Sequence, residues 1–253
     1  MGRVMFRMLK LKPPHGWSAV AWELGIVTLG VLIALGAQQW VDDLSWRSRA
    51  KIAIEAVRDE VSDHYRFSVE WRVVEPCIYA QIDRLTDRLI ASGDRMDPAP
   101  VYSEPGFDFY VLRMPNRAYD QGVWDAAIGD GVTTYLDRDV RNALNRSYTR
   151  VGQLNAGTAL NNAAYPQLFG LSRPLPLDAA ARLTFLRTLD ELRGRVEYMA
   201  LESGQVIARI EDAGLAPDKA EITRRVAEGG TVRFCRAKGF PMRDVKAAMR
   251  GID

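Results

Sequence analysis

A run of eighteen uncharged residues from Leu24 to Val41, LGIVTLGVLIALGAQQWV, constrains this chain more than any other feature. As a helix rising ~1.5 Å per residue it covers roughly 27 Å, close to the ~30 Å hydrocarbon thickness of a bilayer. Trp17 and Trp22 stand at one end of the run and Trp40 and Trp46 at the other. Amphipathic indoles favour the two membrane–water interfaces, so the reading is a transmembrane helix over 17–41 with an aromatic belt at each end.

Orientation follows from the flanking charges. Arg3, Arg7, Lys10 and Lys12 precede the span without any acid, whereas Arg47, Arg49 and Lys51 beyond it are mixed with Asp42 and Asp43. The excess of bases predicts an inside N-terminus, with 1–16 as a cytosolic basic tail and 42–253 as an outside domain. The rival reading is a cleaved leader, since Ala34, Leu35 and Gly36 offer small residues at cleavage spacing after an apolar core. Glu23 lies at the inner edge, where a carboxyl either snorkels to the headgroups or bonds a partner helix. Gly25, Gly30, Ala34 and Ala37 would let a second helix approach closely, which makes them candidate partner-helix contacts.

With 253 residues, 47% hydrophobic and 26% charged, the chain is long enough for one core beyond the span. Once the four N-terminal bases and Glu23 are set aside, the rest is within one charge of neutral. Its helices read as mixed in sign, with no concentrated basic cluster expected to interrupt them, so nucleic acid is not an expected partner.

Apolar periodicity then predicts mostly helix. Ala50, Ile54, Val57, Val61, Tyr65 and Val69 continue the anchor outward to about Val74. Pro76 would open a second helix on Ile78, Ile82, Leu85 and Leu89 that stops at Gly93. Residues 94–116 read as an irregular loop with one short strand near Phe109 to Leu112. A short helix is expected around Trp124, and a long one from Asp137 through Val140, Leu144, Tyr148, Val151 and Leu154 to Pro166. Asp178 would cap a helix reaching Gly214, and Asp218 with Glu221 another to Ala227. TVRFC reads as extended, and Met242 to Met249 as a last helix. The fold class is mainly α: one N-terminal transmembrane helix, then an antiparallel helical bundle of about four helices with a small irregular or β appendage.

The stretch Glu23-Leu24-Gly25-Ile26, through Gly30-Val31-Leu32-Ile33-Ala34-Leu35, to Gln38-Gln39-Trp40 resembles the N-terminal anchor of an uncharacterised bacterial family of single-pass membrane proteins. The resemblance returns at Trp124-Asp125-Ala126-Ala127 with Gly129, then Leu136, Val140, Leu144 and Tyr148, and covers roughly a third of the chain. It implies a bacterial inner-membrane location with a periplasmic C-terminal domain. The family carries no assigned activity or catalytic residues to transfer.

Chemistry-bearing residues are sparse. Cys77 and Cys235 are the only cysteines, and an oxidising compartment would join them. With two histidines, His15 and His64, no histidine-rich metal set is possible, and no Ser-His-Asp order is evident. Asp130, Asp137 and Asp139 lack the spacing of a calcium loop and suit helix capping. No catalytic, metal or cofactor residues are therefore named. Tyr102, Phe107, Phe109, Tyr110, Tyr119 and Trp124 form an aromatic loop cluster that would either line a small-ligand pocket or plug the end of a core.

These features lead to the expectation of a non-catalytic interaction protein, an accessory or structural subunit of an envelope or membrane assembly. Its expected partners are the bilayer and other proteins, or copies of itself through the span and bundle. A periplasmic ligand-sensing domain is the alternative, and an enzyme the third class.

Overall fold

The computed structural model describes residues 16–102 and 111–252, and the chain divides into two compact units, 1–49 and 50–253. The protein is mainly helical. Helix α1 runs Gly16–Ala91, α2 Gly122–Gly129, α3 Arg138–Leu168, α4 Ala179–Asp212, α5 Lys219–Ala227, α6 Gly230–Ala237 and α7 Val245–Ala248. Two short strands, β1 (Arg95–Met96) and β2 (Leu175–Pro176), pair antiparallel.

The first unit holds the N-terminal part of α1, in which apolar side chains are exposed on every side of the helix: Leu24, Ile26, Val31, Ile33 and Leu35 are all more than half exposed. This is one helix long and apolar enough to cross a membrane.

In the second unit the starts and stops follow local chemistry. Asp137, Asp178, Asp218 and Asp244 each accept backbone N–H bonds at the first turns of α3, α4, α5 and α7, satisfying donors that a helix leaves open. Gly214 ends α4 with φ of +68° while the N–H of Leu215 returns to the carbonyl of Ile210, the left-handed closure that glycine adopts without a Cβ penalty.

Three long helices carry the core. α3 and α4 lie antiparallel, because Arg150 meets Glu202, Gly157 meets Met199 and Gln167 meets Thr188. α1 is also antiparallel to α4: Tyr65 bonds Glu211, Asp83 pairs with Arg193, and the Leu89 carbonyl accepts from Arg182. Val57, Val61, Tyr65, Val69, Ile78, Ile82 and Leu89 of α1 are fully buried.

Two expectations are corrected. α1 does not end near Val74; it passes through Pro76 without a turn back. A proline inside a helix removes one N–H and crowds carbonyls of the preceding turn. Here the N–H of Arg243 donates to the Val73 carbonyl at 2.9 Å, and the Arg243 guanidinium pairs with Glu75 at 2.6 Å. The TVRFC segment is not extended but lies in α6, where Thr231, Val232, Phe234 and Cys235 are buried and Arg233 and Arg236 exposed. The strand expected near Phe109 to Leu112 falls partly outside the described residues; Val111 and Leu112 form a bend. The strands that do form, β1 and β2, tie the 92–102 segment to the α3–α4 connection, and the N–H of Ala99 bonds the Leu171 carbonyl.

Candidate functional site

The outward faces of α3 and α4 form an open groove of about 240 Å³, lined by Gln153, Ala156, Gly157, Leu160, Arg195, Tyr198 and Met199. Its floor is low because Gly157 has no side chain: a Cβ there would stand 2.4 Å from the Met199 sulfur. Leu160 is 55% exposed on one wall and Tyr198 41% on the other, with Leu201 a turn further along α4. Ala156 and Leu160 are four residues apart, and Gly194, Tyr198 and Leu201 follow at four and three, the spacing at which helical side chains share a face. Small residues at the base with apolar walls fit the ridge of another helix.

The long helices are also joined by a tier of buried polar groups. Glu202, 4% exposed at its side chain, receives Arg150 Nη1 at 3.2 Å. Glu70 receives Arg117 through Nε at 2.7 Å and Nη2 at 3.0 Å, a paired geometry that holds segment 111–121 to α1. The Glu60 carboxylate accepts from the Tyr148 hydroxyl and from the N–H of Val123 at 3.0 Å. Burial, with the Glu60 carboxylate beside it, pushes the Tyr148 phenol up. Burial likewise pushes up Tyr119, whose hydroxyl faces Ser68 and Ser203.

His64 sits at the centre of this tier, 1% exposed. Its Nε2–H donates to the Asp120 carbonyl at 2.6 Å, which leaves Nδ1 as the lone-pair nitrogen, buried and without a donor. Tyr119 and Tyr148 flank the ring at 5.8 and 5.3 Å. Burial pulls the imidazole below its ordinary value, against the opposing pull of the Asp120 carbonyl and of the Glu60, Asp63 and Asp120 carboxylates. The carboxylates of the tier are engaged by arginine, tyrosine or backbone donors, so the arrangement acts as internal bracing.

The residues singled out in the sequence are placed as follows. Cys77 and Cys235 are joined in a disulfide across a sequence separation of 158, both fully buried. Glu23, Gly25, Gly30, Ala34 and Ala37 lie on the exposed apolar helix, and a Cβ at Gly25 or Gly30 would meet nothing within 4 Å. Trp17, Trp22 and Trp40 are each at least 66% exposed, and Trp46 is half-buried. Phe107, Phe109 and Tyr110 lie outside the described residues. The other three aromatics separate: Tyr102 packs on Phe234 at 4.8 Å, while Trp124 stacks on Tyr148 at 5.4 Å and Tyr119 lies against His64 and Phe67. Asp137 caps α3, as its position suggested.

The sequence reading missed the polar tier and the groove. A signal for the first was present, since Glu60, His64 and Ser68 recur every four residues beside the apolar stripe of α1. No family model matches the chain, and no match was found among curated proteins or solved structures.

Proposed function

We propose that this protein is a membrane-tethered helical bundle with a non-catalytic interaction role, docking an amphipathic helix of another membrane-bound protein in the α3–α4 groove as an accessory subunit. The observation that carries this reading is the groove itself: Leu160, Tyr198 and Leu201 leave apolar surface in water at helical spacing beside a glycine floor. The apolar stretch of α1 supports the tether, and the bases preceding it support a cytoplasmic N-terminus in a bacterial inner membrane. The Cys77–Cys235 bridge supports an oxidising compartment such as the periplasm for the folded domain. The likeness of the anchor to a bacterial single-pass family points the same way.

The test is site-specific photo-crosslinking in native membranes. A photoreactive side chain at Leu160 is expected to give one discrete adduct with another protein, lost when Tyr198 is replaced by Asp. The same group at Glu197, exposed on α4 on the side of Tyr79 of α1 and not among the groove residues, is expected to give none. Equal labelling from both positions, or none from Leu160, overturns the groove as the docking face.

A further inference from the structure

The three short helices α5–α7, in which α5 packs on both α6 and α7, carry basic residues of two kinds, paired and unpaired. From Lys219 to Arg250 the chain carries nine bases and three acids. Three of the bases are matched to acids elsewhere in the domain: Lys219 to Glu211 at 3.3 Å, Arg225 to Asp63 at 2.7 Å and Arg243 to Glu75 at 2.6 Å. The last two, with the disulfide to Cys77, fasten the layer to α1. The other six, Arg224, Arg233, Arg236, Lys238, Lys246 and Arg250, are exposed and form no ion pair among the described residues.

Unmatched like charges on a small layer repel one another, and mixed-sign surfaces are the ordinary arrangement. Elsewhere in the domain Arg58–Glu55, Arg193–Asp83 and Arg209–Asp212 are paired at the surface, so what marks the 219–250 stretch is its three-to-one excess of bases over acids. On the same stretch apolar anchors are missing: every large hydrophobic side chain exposed among the described residues precedes residue 202. Phe234 and Phe240 are buried, with the Arg84 guanidinium 4.2 Å above the Phe240 ring. Protein interfaces centre on desolvated aromatic or aliphatic anchors. A cationic face without them fits a hydrated, anionic surface, and arginine's planar fork suits phosphate.

We infer that the outer face of α5–α7 is an electrostatic docking surface for phosphate-bearing lipid headgroups of a bilayer. Four of its six cations are arginines, and a chain with a membrane-spanning helix works among such headgroups. Association of this kind needs no insertion, weakens with salt, and grows with the number of cations near the surface. The inference is independent of the α3–α4 groove, which belongs to other helices.

The experiment uses the full chain held in phosphatidylcholine nanodiscs and mixed with vesicles of phosphatidylcholine, or of an equimolar phosphatidylcholine–phosphatidylglycerol mixture. Expected is co-flotation with the anionic vesicles alone, abolished by high salt. The double variant Arg233→Ser/Arg236→Ser is expected to weaken it by about tenfold or more, while Arg138→Ser/Arg146→Ser, exposed cations of α3, leaves it unchanged. Both variants alter exposed side chains, so a common thermal midpoint certifies the fold. Equal flotation with both vesicle types overturns the inference, as does equal loss in the two variants. Preference for double-stranded DNA or free inorganic polyphosphate over the anionic vesicles overturns it as well, reassigning the face to a soluble polyanion.

Discussion

The backbone N–H of Arg243 donates to the carbonyl of Val73, three residues before Pro76. Pro76 has no N–H to offer the Arg72 carbonyl four residues before it, and its ring crowds that turn; the next carbonyl, that of Val73, takes a donor from the far end of the chain. The neighbouring contacts reinforce it: Arg243 with Glu75, Cys235 with Cys77, and Arg72 reaching the carbonyls of Ala248 and Arg250. The C-terminal layer thus packs on the turn of α1 that precedes Pro76.

Pro76→Ala tests this directly. Alanine restores an N–H and removes the ring, a change worth up to about 3 kcal/mol in a helix interior. It also returns roughly 0.4–1 kcal/mol of freedom to the unfolded chain. The expected outcome is a net gain of about 1–2 kcal/mol in denaturant unfolding. A loss would show that the C-terminal layer requires the proline geometry at Val73.

Removing the Cys77–Cys235 bridge has the opposite sign. It closes a loop of 158 residues in sequence separation, for which the chain-entropy argument gives roughly 3–5 kcal/mol. The Cys77→Ala/Cys235→Ala variant is expected to lose that much in urea unfolding. Its amides in α6 should also exchange faster than those of α3 and α4, because the layer keeps only its ion pairs and packing. Uniform exchange across the domain would mean the layer does not open separately.

How far the sequence foretold this arrangement depends on the range of each signal. Caps are local: Asp137, Asp178 and Asp218 sit within three residues of the N–H groups they bond, so the helix starts could be read directly. The apolar span and the stripe of Val57, Val61, Tyr65 and Val69 are likewise written in spacing. Pro76 misled because a local rule was applied to a turn that is held by residues far along the chain, Arg243 and Cys235. TVRFC misled because β-branched residues favour strands, a preference that burial of Val232 and Cys235 against the rest of the domain overrides. The polar tier escaped because apolar periodicity does not register Glu60, His64 and Ser68.

The Tyr148–Glu60 contact can be weighed by one substitution. Tyr148→Phe keeps the ring that stacks on Trp124 but removes the one side-chain donor that Glu60 Oε1 has among the described residues, leaving the N–H of Val123 on the other oxygen. A hydrogen bond donated to a buried charged acceptor is worth about 1.5–3 kcal/mol, which is lost when its donor is removed. That loss is expected in urea unfolding without change in the near-ultraviolet signal of Trp124. A change under about 0.5 kcal/mol, the range of ordinary surface substitutions, would show that Glu60 finds another donor.

His64 sets a pH dependence whose direction follows from its burial. Desolvation holds its folded-state pKa below the ordinary value of about 6.5, so between the two values the unfolded chain binds more protons than the folded one. Stability from this group is therefore fully present above pH ~6.5 and is lost as pH falls toward the folded-state pKa, with a slope of at most about 1.4 kcal/mol per pH unit. The groups facing the ring are the Asp120 carbonyl, the Glu60, Asp63 and Asp120 carboxylates and the two tyrosines. The carboxylates temper the loss by attracting the imidazolium, but they do not reverse it, because desolvation is the largest contribution. Replacing His64 by Gln preserves a donor for the Asp120 carbonyl and removes the titration. The difference in unfolding free energy between the two proteins is expected to narrow or invert from pH 7.5 to pH 5.5 in favour of the variant. A difference that stays constant over that range would place the acid sensitivity of the domain in its carboxylates instead.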